Sequence, residues 1–148
     1  MAVAVCGAAL ACEREERARP AVVRTATGIW VDRAVLRVAE AAEFAYLQNL
    51  SQAEAGETPA LRELLVFCQR LDGSAKVHHG IVLIELLGRT GDETFARVAE
   101  GLAAEQRAPV LEALRIGARE TRRGPLRGPL ERGFPLTTMA LRSDGGDA

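Results

Sequence analysis

This sequence predicts an all-α domain of about five helices, and three observations carry that expectation. The chain is rich in Ala, Leu, Glu and Arg, side chains that lose little rotamer entropy in a helix. Apolar residues recur at three- and four-residue steps in several separate segments. Those segments are bracketed by cap residues, prolines and glycines of the kind that start and stop helices. At 148 residues, 48 % apolar and 26 % charged, the composition is that of one globular domain.

Residues 1–28 show no single periodicity and read as a poorly ordered, dispensable N-terminal arm, rather than an extra helix or translated upstream sequence. Residues 1–12 are apolar like the core of a signal peptide, but no Lys or Arg precedes them, so the positive region of such a leader is missing. The helical domain is expected over 29–122. Its first helix starts at Asp32, whose carboxylate suits an N-cap. Val31 and Leu36 stand at the spacing of a hydrophobic staple. Val31, Val35, Val38, Ala42 and Ala45 form one stripe, and the helix is expected to run to about Leu50.

A polar loop, 51–57, leads to Thr58-Pro59, a cap followed by a first-turn proline. Leu61, Leu64, Leu65, Cys68 and Leu71 then form the cleanest helical stripe in the chain, ended by Asp72-Gly73. These two helices are expected to make an αα-hairpin, with the second stripe against Val35, Val38 and Ala42. Residues 75–87 are apolar almost all round at Ile81-Val82-Leu83-Ile84 and predict a buried helix. Thr90-Gly91-Asp92-Glu93 signals a fourth helix through Phe95, Val98 and Leu102, capped by Thr90 or Asp92. Pro109 marks the first turn of a fifth, carrying Val110, Leu111 and Leu114 to about Arg122. From Arg123 on, Arg-Gly-Pro-Leu occurs twice in succession and Arg132-Gly-Phe-Pro-Leu136 follows. Such density of Gly and Pro predicts a disordered Gly/Pro/Arg-rich tail over 123–148 with polyproline character.

Charge is unevenly placed. Residues 1–106 carry eleven basic and fifteen acidic side chains, whereas 107–132 carry seven Arg against three Glu. Three cysteines without a C-x-x-C pair suit reduced thiols in a cytoplasmic protein. No apolar run approaches the roughly 20 residues that span a bilayer. The two histidines are adjacent, His78 and His79; neighbours on a helix point about 100° apart and cannot chelate one ion, for which i, i+4 spacing is used. Ser51, Ser74 and Ser143 lie in no G-x-S-x-G elbow. Gly88-Arg-Thr-Gly91 lacks the Lys-Ser/Thr of a phosphate loop. Glu40 and Glu43 have no Glu-x-x-His partners. Catalytic, metal and cofactor-binding residues are accordingly expected to be none, and no small-molecule substrate is evident.

Residues 76–120 carry two resemblances. Leu86-Leu87-Gly88-Arg89-Thr90-Gly91-Asp92-Glu93, followed by Leu102, resembles the inter-helix turn of short HEAT-like repeats, and residues 106–117 are similar to the first helix of a next repeat. That resemblance covers about one and a half repeats and implies a helical protein-binding surface. Val98-Ala99-Glu100-Gly101-Leu102 is similar to the first helix of many bacterial helix-turn-helix regulators, with Val110 onward as recognition helix. It implies nucleic-acid contacts by Arg107, Arg115, Arg119, Arg122 and Arg123, since DNA affinity is largely phosphate neutralisation. The expected function is a small non-enzymatic interaction or adaptor module whose partner is another protein. The alternative is a DNA-binding regulator using 98–120.

Overall fold

Residues 81–84, apolar on every side, lie in the middle of the longest helix, and the other elements are arranged around it. The computed structural model describes residues 22–142. Strands β1 (Val22–Arg24) and β2 (Trp30–Asp32) precede α1 (Arg33–Ala41), α2 (Tyr46–Glu54), α3 (Thr58–Phe67) and α4 (Gly73–Thr90). Then follow α5 (Asp92–Glu100), α6 (Ala104–Glu120), α7 (Leu130–Gly133) and α8 (Pro135–Arg142). Short 3₁₀ turns lie at Cys68–Arg70 and Gly124–Leu126. The protein is mostly helical, as expected, but the described residues hold eight α-helices rather than five, and one small sheet.

The helix expected from Asp32 to Leu50 is two helices. Asp32 caps the first, accepting from the Ala34 amide at 2.7 Å. Glu43 then turns left-handed, with φ 52°. The Glu43 amide donates to Glu40 O and the Phe44 amide to Ala39 O, the paired bonds of a Schellman stop. A glutamate at the position glycine favours conceals this stop from a reading of composition. Relieving the left-handed penalty should make Glu43→Gly more stable by about 1 kcal/mol, read as an upward shift in the denaturation midpoint. A loss of stability instead would mean that the Glu43 side chain supplies more than its backbone costs.

The αα-hairpin of α2 and α3 is present. Leu61, Leu64, Leu65, Cys68 and Leu71 are all buried, as is Val35. The stripe of α1, however, packs chiefly on α4 and β2 rather than on α3. α4 is the buried helix expected from its sequence: Val82, Leu83, Ile84, Leu86 and Leu87 are fully enclosed. It crosses α6 in the most extensive helix contact of the fold. The crossing is tightest at Gly80 and Gly117, each backed by the other helix's main chain.

Pro109 lies inside α6 rather than at its start. Its missing N–H leaves the Glu105 carbonyl without its intrahelical donor, and the Gln69 side chain donates to that carbonyl at 3.3 Å. This compensation across elements lets the helix continue through a residue that reads as a boundary.

Two boundaries need correction. Residues 22–28, assigned above to a loose arm, form the first strand and turn of a hairpin in the register Val22↔Asp32, Val23↔Val31, Arg24↔Trp30. Gly28, with φ 96°, closes the turn, and Ile29 and Val31 enter the core. Residues 1–21 lie outside the described residues. The expected disordered tail is likewise folded from 124 to 142; residues 143–148 lie outside the description. Its prolines sit at helix starts, Pro129 before α7 and Pro135 opening α8, where their lack of a donor costs nothing. In this segment Leu126 lies on Gly88 of α4, and Leu130, Ala140 and Leu141 are buried.

Asp92, expected to cap its own helix, caps α8 instead. Its two oxygens accept from the Leu136 and Thr137 amides at 2.9 and 2.8 Å. The N-cap position of α5 is Gly91. α5 packs mainly on α8, and α6 mainly on α4. Among the described residues no helix is long and apolar enough to cross a membrane.

Candidate functional site

The five arginines expected to contact nucleic acid, out of seven in the basic segment, divide by what they touch. Arg107 is half-buried and donates to the Leu102 and Glu100 carbonyls at 3.1 and 3.0 Å. It thereby serves the carbonyl end of α5, where a cation also complements the helix dipole. Arg123 places Nε 3.2 Å from Glu85 Oε2 and donates to the Gly28 carbonyl at 3.4 Å. Glu85 is buried on α4, so Arg123 ties the C-terminal segment to both the central helix and the hairpin turn. These two positions hold the molecule together.

Arg115, Arg119 and Arg122 are at the surface. Arg115 and Arg119 stand one helical turn apart on α6 and face a cleft of about 400 Å³, with Arg127 and Glu131 across from them and Gly128, Pro129 and Leu130 as its floor. Arg115 donates to Glu131 Oε1 at 2.7 Å and Arg142 to the same oxygen at 2.6 Å. The hydrogen bond from Arg115 holds the Glu131 carboxyl below its ordinary range. Arg119, exposed over 70 % of its side chain, pairs with its neighbour Glu120 at 3.1 Å. No carboxylate pairs with Arg127 among the described residues. The structure thus brings Arg115 and Arg119 together with Arg127, Arg122 lies exposed nearby in sequence, and Arg107 and Arg123 belong elsewhere.

A second surface lies on the hairpin. Alternation along β1 and β2 turns Val23 and Val31 inward and leaves Val22, Arg24 and Trp30 outside. Trp30 is 54 % exposed, and the Arg24 guanidinium lies over its ring at 5.5 Å, a cation–π pair. Arg24 also lines, with Val23, Leu47, Ser51 and the turn 25–27, a groove of about 400 Å³ between the hairpin and α2. The wall of this groove is fixed by Glu54, whose side chain is only 5 % exposed. Glu54 accepts from the Thr25 and Thr27 hydroxyls and from Arg89.

The main chain of the hairpin adds to this surface. The Thr25 amide donates to the Ile29 carbonyl, which makes 25/29 and 23/31 the hydrogen-bonded pairs of the ladder. Arg24 therefore falls in a non-hydrogen-bonded pair, with its N–H and C=O directed to the edge of β1 away from β2. The ladder register leaves them unpaired, and no turn, loop or cap bond among the described residues reaches them.

The remaining polar chemistry is internal. His78 faces Asp32 at 3.7 Å from the surface of α4, while His79 is wholly buried, so the two rings diverge as their adjacency requires. His79 sits edge-on between Tyr46 and Phe67. Its Nε2 is 3.1 Å from the Leu64 carbonyl and its Nδ1 2.6 Å from the Tyr46 hydroxyl. A carbonyl can only accept, so Nε2 donates and Nδ1 accepts from Tyr46. Burial pushes the imidazole down to about 4 and the Cys68 thiol up to about 12, which leaves both neutral. Among the described residues no three His, Cys, Asp or Glu side chains gather as a metal would require.

Sequence reasoning missed Trp30, Arg24, Arg127 and Glu131. The first two lay in or beside a segment set aside as an arm, the others in a segment read as tail. The available signal for Trp30 was its place as the sole tryptophan, two residues before a helix cap. No protein-family model matches this chain, and no characterised protein or solved structure was found to be similar to it.

Proposed function

We propose that the protein is a non-enzymatic, cytoplasmic interaction module that receives an extended, acidic segment of another protein along the outer edge of β1, with Trp30 as the anchor. The observation that carries this reading is Trp30, more than half exposed beside Arg24 and Val22. A solvated indole next to an arginine is the kind of surface from which interfaces draw most of their energy. Three further features favour an extended acidic partner. The backbone of Arg24 offers a donor and an acceptor for strand addition. The Arg24 guanidinium faces no carboxylate among the described residues. Leu47 supplies an apolar contact in the adjoining groove.

Selection from a library of random peptides tests this reading. Binders should be enriched in acidic and apolar residues, and Trp30→Ala should weaken them by roughly thirtyfold or more, corresponding to a central aromatic contact of about 2 kcal/mol. Binding indifferent to Trp30→Ala and Arg24→Ala would remove the proposal. So would concentration-dependent self-association through Trp30, which would make a second copy the natural occupant.

The runner-up is a DNA-binding regulator. It is favoured by the exposed Arg115, Arg119 and Arg122 on and just beyond α6. Against it, Arg107 and Arg123 spend their charge on their own chain. A duplex-binding protein should lose affinity steeply between low and high salt, and Arg115→Ala with Arg119→Ala should flatten that slope by about two units.

A further inference from the structure

We propose that the cleft between α6 and the 127–131 segment is a binding site for a phosphate monoester carried on a small molecule. Three cations, Arg115, Arg119 and Arg127, line the cleft against one anion, Glu131. Arg115 and Arg119 come from successive turns of one helix and Arg127 from the opposite wall, so the cations surround a single concavity rather than a long strip. A duplex presents singly charged diesters spread along its length, whereas a monoester dianion concentrates its charge and its acceptor oxygens in one place. That is what a converging set of guanidinium forks matches. The roughly 400 Å³ of the cleft is in the range of small-ligand sites, and Pro129 and Leu130 give the organic part of such a ligand an apolar wall.

Glu131 now occupies the place of that anion. Its Oε1 accepts from Arg115 and from Arg142, and it is exposed enough, at 38 % of its side chain, to swing aside. It serves as an internal competitor: the ligand must displace it from Arg115, and ligands of lower charge cannot. Arg127 has no such internal competitor among the described residues and makes the first contact.

Titration of the full chain with phenyl phosphate, followed by the arginine side-chain NMR signals at constant ionic strength, tests this site. Saturable binding is expected, with Arg127→Gln and Arg119→Gln each weakening it. Glu131→Gln should tighten it by about fivefold, the worth of one opposed charge removed at a few ångströms in water. Tightening on loss of a surface carboxylate is not an effect that a structural role for Glu131 would give. Arg127 lies in a surface loop and keeps the test independent of any unfolding in the Glu131 variant. A linear, salt-like response equal to that of chloride would overturn the proposal. Binding of a 20-base-pair duplex without binding of phenyl phosphate would also overturn it, in favour of the extended nucleic-acid surface. Because Trp30 is not among the residues that line the cleft, Trp30→Ala should leave phenyl phosphate binding unchanged, which separates this site from the hairpin surface.

Discussion

Gly117→Ala is expected to lower the unfolding free energy by about 3 kcal/mol or more, with chemical denaturation as the measurement. Helix propensity alone predicts the opposite, since alanine in a helix interior is favoured over glycine by about 1 kcal/mol. The sign is set by the crossing of α4 and α6. A Cβ on Gly117 would strike the carbonyl carbon and oxygen of Gly80, and would stand 3.0 Å from the Ile81 amide nitrogen. These atoms are main chain within a helix and cannot swing aside, so the helices must separate and loosen the interface between α4 and α6. Overpacking of this kind is costly because the surrounding core is already filled. Gly80→Ala should behave similarly, its added methyl meeting the Ala113 carbonyl. Gly133, with nothing within 4 Å of its added carbon, is the control and should tolerate alanine. A neutral Gly117→Ala would mean that the two helices are not in backbone contact.

Mild acid should destabilise the fold through His79. His79 is neutral in the core, with both ring nitrogens satisfied. Protonation would bury a charge and would turn the Tyr46 hydroxyl from donor to acceptor. The folded-state value is about 4 against an ordinary 6.5, so between those values the unfolded chain binds the proton more readily. Stability is therefore complete above pH 6.5 and is lost as the pH falls from 6.5 towards 4, by about 3 kcal/mol in all. Glu131, held low by Arg115, contributes its own loss only at more acid pH. Denaturation midpoints measured from pH 7 to 5 should fall for the wild type and for His78→Gln, and should be nearly flat for His79→Gln. A slope that persists in His79→Gln would assign the acid sensitivity to another group.

What could be read from the sequence depended on whether the signal was local and helical. The α2–α3 hairpin and the buried α4 were legible because Leu61, Leu64 and Leu65, and then residues 81–84, declare a helix face without help from elsewhere. The break before α2 was hidden because Glu43 does a glycine's work. The continuation of α6 through Pro109 depends on Gln69, forty residues earlier in the chain, and the capping of α8 depends on Asp92. The hairpin strands are three residues each, too short for an alternating pattern to register. The C-terminal segment was misread because its Gly and Pro density outweighed the steps Leu126, Leu130 and Phe134, which anchor it to the core. The candidate surfaces share this fate: the nucleic-acid reading named Arg115 and Arg119, but Arg127, Glu131 and Trp30 join a site only through the tertiary fold.

We propose that a partner is received at the outer edge of β1 and the indole beside it. This binding is tested most directly by amide hydrogen exchange and Trp30 emission in the complex with a selected acidic peptide. The Arg24 amide, left unpaired by the ladder register, should exchange rapidly in the isolated protein and become protected on binding, while the emission of the sole tryptophan moves to the blue. Protection confined to α6 and α8, with the Arg24 amide and the Trp30 emission unchanged, would contradict the account.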